Sequence, residues 1–191
     1  MFQLLKLFIY MIILPWKGLK ELDEYLDKSL STMAKLMLGF MLTFLSSSVA
    51  FFGIIVIGLW RASPVIDFLI SAISAAILIP VVWWIFDTLL ISIAISIFRE
   101  RVDIIRLLNI RAFSMIPIPI SAMYKYFIFG DVSLLRMLNI DLLNPITVIL
   151  LIWEVFLLSL ALFRMMRINL SKSILMALIP IAVKILISVF L

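Results

Sequence analysis

The hydrophobic pattern divides the chain into long apolar runs separated by short charged groups. Runs over about 34–60, 68–98, 112–130, 145–163 and 171–191 approach or exceed the ~20 residues with which a helix crosses a bilayer core. A straight helix over 65–98 would reach about 50 Å, well past a ~30 Å core. A short interfacial start near Pro64–Asp67 is therefore expected, followed by a span kinked at Pro80. The stretch "DVSLLRMLNIDLLNP" at 131–145 reads as an amphipathic loop between the third and fourth spans.

Residues 1–33 have a different texture. "MFQLLKLFIYMIILPWKG" is too short to span comfortably and lacks a small-residue cleavage site, so a partly inserted helix ended by Pro15 and Gly18 is expected. "KGLKELDEYLDKSLSTMAK" then mixes both signs at helical spacing. Leu19, Leu22, Tyr25 or Leu26, and Leu30 share one face. Glu21, Asp23, Glu24 and Asp27 lie within helical pairing distance of Lys17, Lys20 and Lys28. An amphipathic, interfacial segment results.

Composition strengthens the membrane reading. Of 191 residues, 66% are hydrophobic and 14% charged, with a mean hydropathy of +1.31; a soluble domain carries roughly a quarter charged residues. The fold class expected is thus an all-α polytopic membrane bundle, residues 1–33 leading into a five-span domain at 34–191. Cys and His are absent. Disulfides, thiolate nucleophiles, the usual zinc sites and a Ser-His-Asp triad are excluded. No cofactor or metal is expected, and an enzyme is disfavoured because only carboxylates remain for acid–base work.

The net charge of +5 is distributed in groups rather than along one basic face. Nucleic acid is therefore not the expected partner. Lys6, Lys17, Lys20, Lys28 and Lys35 precede the first span; Arg99, Arg101, Arg106 and Arg111 join spans two and three; Arg164, Arg167 and Lys172 join spans four and five. Only Arg61, Lys125 and Arg136 fall on the other side. The positive-inside rule then expects the N-terminus in the cytoplasm and the C-terminus outside. Anionic lipid headgroups are the expected contacts of Arg99, Arg101, Arg106, Arg111, Arg164, Arg167 and Lys172.

Three ionisable residues fall deep within spans. Asp87 lies 12 residues before Arg99, Lys184 lies 12 after Lys172, and Glu154 lies 10 before Arg164. At 1.5 Å per residue these depths are roughly 18, 18 and 15 Å, nearly one level. Such residues are costly in hydrocarbon and face partners or water. Lys184 is expected to pair with Asp87, Glu154 or both, with one carboxyl kept neutral by its like-charged neighbour. The cluster reads either as a proton or ion site or as a structural ion pair.

Prolines at Pro80, Pro117, Pro119, Pro145 and Pro180 are expected to bend or break spans, with Ser114 and Ser121 near carbonyls freed in the third. Ser46, Ala50 and Gly53 form a small-residue strip for close helix approach. Tyr124 and Tyr126 suit a membrane interface. Between spans two and three, "FRERVDIIRLLNIRAFSMIPIPI" reads as an interfacial helix. Arg99, Asp103 and Arg106 stand at helical pairing distance, and Phe98, Val102, Ile105 and Leu108 form its apolar face.

The order of these features resembles the prokaryotic branch of the Yip (Ypt-interacting protein) domain family. A Pro-Trp-Lys-Gly-Leu-Lys-Glu lead-in precedes the spans, and "FRMMRINLSKSILMALIP" joins the last two. Phe98, Glu100, Ile104, Arg106, Leu108, Arg111, Ala112 and Pro117 occupy places comparable to the family's loop before its third span. The usual small or Gly-rich lead into that loop is absent, and "NIRAFS" replaces its aromatic-small step. The resemblance covers nearly the whole chain. It implies a five-span protein with a cytoplasmic N-terminus and no catalytic residues. Its expected role is organising membrane or partner proteins, other membrane proteins or a second copy among them. The contact of eukaryotic members with Rab-type GTPases is not carried over. A small transporter or channel subunit using Asp87, Glu154 and Lys184 is the alternative.

Overall fold

A computed structural model describes residues 6, 9–10, 12–28, 31–61, 64–74, 78–129 and 144–190, the side chains at 67, 68, 79 and 190 excepted. Within them run α1 (Pro15–Asp27), α2 (Thr32–Trp60), α3 (Val65–Ile73), α4 (Ile79–Ile97), α5 (Ile104–Ser114), α6 (Pro117–Phe129), α7 (Pro145–Met165) and α8 (Leu170–Phe190). No strand occurs among the described residues. Among the described residues, five segments are long and apolar enough to cross a membrane: α2, α4 from Pro80, α5 with α6, α7, and α8 to Val189. The chain is an all-α integral membrane bundle. The amphipathic loop expected over 131–145 lies, up to residue 143, outside the described residues, as does Leu30.

The third span begins earlier than the apolar run suggests. Asp103, not Ala112, marks its start: the Asp103 carboxylate accepts a hydrogen bond from Arg106 N at 3.0 Å. That contact satisfies one of the orphan donors of the first turn. The interfacial helix expected across Arg99–Leu108 is therefore replaced by a non-helical link, 100–103, and the first turns of α5. A turn at Met115–Ile116 separates α5 from α6. Pro117 would clash with the carbonyl four residues back, so the ladder stops there. Ser114 Oγ donates to the Arg111 carbonyl at 3.1 Å, a carbonyl that also accepts from Met115 N at 3.1 Å.

Other prolines act at helix starts. Pro80 sits in the first turn of α4, and Pro145 opens α7. Asn144 caps α7 by accepting from Ile146 N at 3.0 Å. Helical residues run up to Ile13 and stop before Pro15, which then begins α1, where its missing N–H would be unpaired anyway. Gly18 is buried within α1. Pro119 lies in the first turn of α6, and Pro180 is held deep inside α8 without ending it.

Helix α5 is the axis of the bundle, packed against α2, α4 and α7, while α8 lies on α7 and α4. Leu107, Ile110 and Phe113 are fully buried there, in one core with Ile91, Ile95 and Leu157. A smaller cluster joins Ile54, Ala72, Ala122 and Tyr126. Tyr126 is thus interior, not interfacial. Tyr124, the other expected interface residue, accepts a hydrogen bond from Asn144 Nδ2 at 2.8 Å.

Close approach of α2 to its neighbours depends on two glycines. Gly53, from the expected strip, faces the Met123 thioether, which would have to move for any Cβ. At Gly39 an added Cβ would lie 3.2 Å from Asn109 Oδ1 and 3.3 Å from Trp84 Cζ2. Both neighbours are pinned. Asn109 Nδ2 donates to the Lys35 and Ile105 carbonyls at 3.1 and 2.9 Å, and Trp84 Nε1 donates to the Leu108 carbonyl at 2.8 Å. Gly39→Ala should therefore destabilise the bundle by about 1–3 kcal/mol through overpacking, whereas Gly53→Ala should be milder. Thermal unfolding of the two variants in one detergent checks the order.

The buried hydroxyls of α2 are paired within their own helix. Thr43 Oγ1 donates to Gly39 O at 3.0 Å, and Ser46 and Ser47 both donate to Thr43 O at 2.8 Å. Side chains satisfied in this way can face hydrocarbon or a neighbouring helix at low cost.

Candidate functional site

Four ionisable side chains, one from each of four helices, meet inside the bundle. Asp87 comes from α4, Arg111 from α5, Glu154 from α7 and Lys184 from α8. Lys184 Nζ lies 2.7 Å from Glu154 Oε1 and 3.0 Å from Asp87 Oδ2. The Arg111 guanidinium pairs through one nitrogen with both Asp87 and Glu154. Its other terminal nitrogen donates to Ser114 Oγ at 3.0 Å. Trp83 offers its ring face to Lys184 at 4.9 Å, a further attraction for the ammonium. All four side chains are at most 6% exposed.

The structure brings Asp87, Glu154 and Lys184 together. It also places among them Arg111, which the basic loop pattern had assigned to headgroups. Arg111 is fully buried. One consequence is electrostatic: two carboxylates face two cations rather than one. The excess negative charge that would have favoured a neutral carboxyl is removed. Pairing of this kind recovers much of the desolvation cost that each charge incurs in a low-dielectric interior. Asp103 carried the missed signal. An N-cap residue directly before "IIRLLNIRAFS" sets the helix start, and Arg111 then falls two turns inside.

Two polar atoms of the cluster remain without a hydrogen-bond partner among the described residues, Asp87 Oδ1 and Arg111 Nε. No group of three or more metal-ligating side chains occurs among the described residues. Asp87 and Glu154 already face cations, so the pair is poorly disposed to hold another.

The remaining basic residues of the loops divide into two sets. Arg106 pairs with Asp27 and, at 3.3 Å, with Asp23, and donates to the Met165 carbonyl at 3.3 Å. Arg164 lies 4.1 Å from the centre of the Trp16 ring. Lys172 Nζ meets Glu100 at 2.5 Å. Arg99, Arg101 and Arg167 instead point outward and are exposed.

These contacts hold α1 down on the bundle. Leu19, Leu22 and Leu26 are buried in the main core. Burial pushes the Asp23 carboxyl up from its ordinary value, against the pull of Arg106. Within α1 only one of the expected helical pairs forms, Lys20 with Glu24 at 3.8 Å. Asp23 and Asp27 turn to Arg106 instead, and Glu21 to Lys6 at 2.8 Å. A partly buried guanidinium holds a carboxylate better than an exposed lysine on the same helix.

No protein-family model, no curated protein and no solved structure matches the chain.

Proposed function

We propose that the chain is a non-enzymatic, multi-pass membrane protein of the Yip type that organises membrane or partner proteins through helix–helix and loop contacts. Its N-terminus and basic end face the cytoplasm, and its C-terminus lies outside the cell membrane. The observation that supports this reading is the charge balance of the Asp87–Arg111–Glu154–Lys184 cluster. Charges held mutually at close range, one from each of four helices, set helix arrangement and leave no net charge to attract a permeant ion. The outward face of α2, with Phe40, Phe44 and Phe52 exposed, is available to lipid or to a partner helix.

The second reading, a small transporter or channel subunit, is favoured by the unpartnered Asp87 Oδ1 and Arg111 Nε. Spare hydrogen-bonding capacity at this depth could be met by water or a moving proton. Reconstituted vesicles decide between them. The organising reading expects no proton or cation flux above that of empty vesicles, and in-membrane cross-linking from Phe44 or Phe52 to a second protein or second copy. Flux abolished by Asp87→Asn, in a variant that still folds, would establish the transporter instead.

A further inference from the structure

We infer that the basic end carries a binding site for the phosphate of an acidic phospholipid, formed by Arg99, Arg101 and Arg167. Of the seven basic residues that the loops supply, four are committed elsewhere: Arg106 to α1, Arg111 to the buried cluster, Arg164 to Trp16 and Lys172 to Glu100. Arg99, Arg101 and Arg167 are exposed, and no ion pair reaches them among the described residues. The adjacent carboxylates do not neutralise Arg99 and Arg101, and Arg167 feels the Asp23 carboxylate without an ion pair between them. Glu100 is taken by Lys172 and Asp103 caps α5. The Glu100–Lys172 bridge at 2.5 Å also ties the link after α4 to the start of α8, so the two arginine-bearing loops are held together.

Backbone conformation supplies an independent observation. Arg99 and Arg167 have φ of 58° and 56°, the positive-φ residues other than glycine among those described. Each follows the last turn of a spanning helix. After α4, Arg99 N donates to Ser96 O at 3.0 Å and Glu100 N to Ile95 O at 3.1 Å, a helix-ending motif in which glycine is the favoured residue. A β-carbon there is disfavoured, yet both positions carry the longest cationic side chain. Attraction to the helix C-terminus needs only a positive charge. A guanidinium adds a planar fork that matches two phosphate oxygens.

The loops close the ends of α4, α5, α7 and α8, where the headgroup layer of a surrounding bilayer lies. A lipid reaches this place by lateral diffusion, and the cytoplasmic leaflet is the acidic one. The inference rests on the assignment of this end to that leaflet, but the binding measurement itself does not.

Native mass spectrometry of the full chain in mild detergent, titrated with phosphatidylglycerol or phosphatidylcholine, tests it. The parent should prefer phosphatidylglycerol. Arg99→Gly with Arg167→Gly should weaken that binding roughly fivefold per arginine, about 25-fold together, while the melting temperature holds or rises because glycine suits both backbones. Arg99→Lys with Arg167→Lys, which keeps the charge without the fork, should fall between them and is read independently of the glycine pair. Parent-like phosphatidylglycerol binding in the glycine pair overturns the site. So does equal binding of phosphatidylcholine. Displacement by inorganic phosphate at matched concentration would make the ligand a soluble phosphate and overturn the lipid. Lipid binding without any cross-linked partner would leave this site standing while the organising role falls.

Discussion

Replacing Arg111 with leucine should lower stability by about 3–5 kcal/mol, because it leaves buried charge uncompensated. Arg111 contacts both Asp87 and Glu154 and ties them to Ser114. Without it, Lys184 alone faces two carboxylates in a site that excludes solvent. Lys184→Met should cost less, since Arg111 still reaches both acids. Arg111→Lys keeps the charge but loses the guanidinium's reach to several partners, and should fall between. Replacing all four members with apolar residues of similar volume should restore much of the loss, as buried ion groups often exchange for hydrophobic packing at little net cost. Denaturant or thermal unfolding in one detergent orders the series. An Arg111→Leu protein as stable as the parent would show that the cluster is not what holds these four helices.

Leu22→Ala should weaken the docking of α1 by about 2–5 kcal/mol, the usual range for emptying a buried leucine site. Leu22 is fully buried between Leu19 and Leu26 in the main core. The loss should fall on α1 rather than on the spanning helices, whose packing around α5 does not depend on it. Hydrogen exchange of α1 amides should accelerate by roughly 30-fold or more, the factor that ~2 kcal/mol represents for a local opening. Exchange in α5 should change little. A uniform acceleration through both helices would mean that α1 is integral to the bundle's cooperative unit. Acidity should act on the same contact. The folded-state value of Asp23 is raised by burial, so the docked form binds its proton more readily than the free form. Docking then tightens as pH falls through that raised value and loosens as pH rises through it.

Much of the architecture follows from local properties of the chain. Span number and order come from apolar run length measured against a bilayer's thickness, neither of which needs a neighbour. The amphipathic character of α1 is likewise local, and Leu19, Leu22 and Leu26 do form its buried face. The common depth of Asp87, Glu154 and Lys184 follows from counting residues along straight helices, because rise per residue is constant.

Rotation of each helix about its axis, and the reach of long side chains, are decided only when the helices pack. Arg111 illustrates the limit. Within "FRERVDIIRLLNIRAFS" it resembles the other loop arginines, yet the Asp103 cap and the central position of α5 turn it into the core. The same holds for Asp23 and Asp27, whose charge pattern suggests lysines of their own helix but whose partner is Arg106, 79 positions beyond Asp27. Tyr126 reads as an interface residue until the packing of α6 on α2 encloses it. The sequence by itself determined how many helices cross and which end is basic, since hydropathy and charge act residue by residue. Which charges meet, and which remain free at the surface, was decided by the tertiary structure, since an ion pair's energy depends on distances that only packing sets.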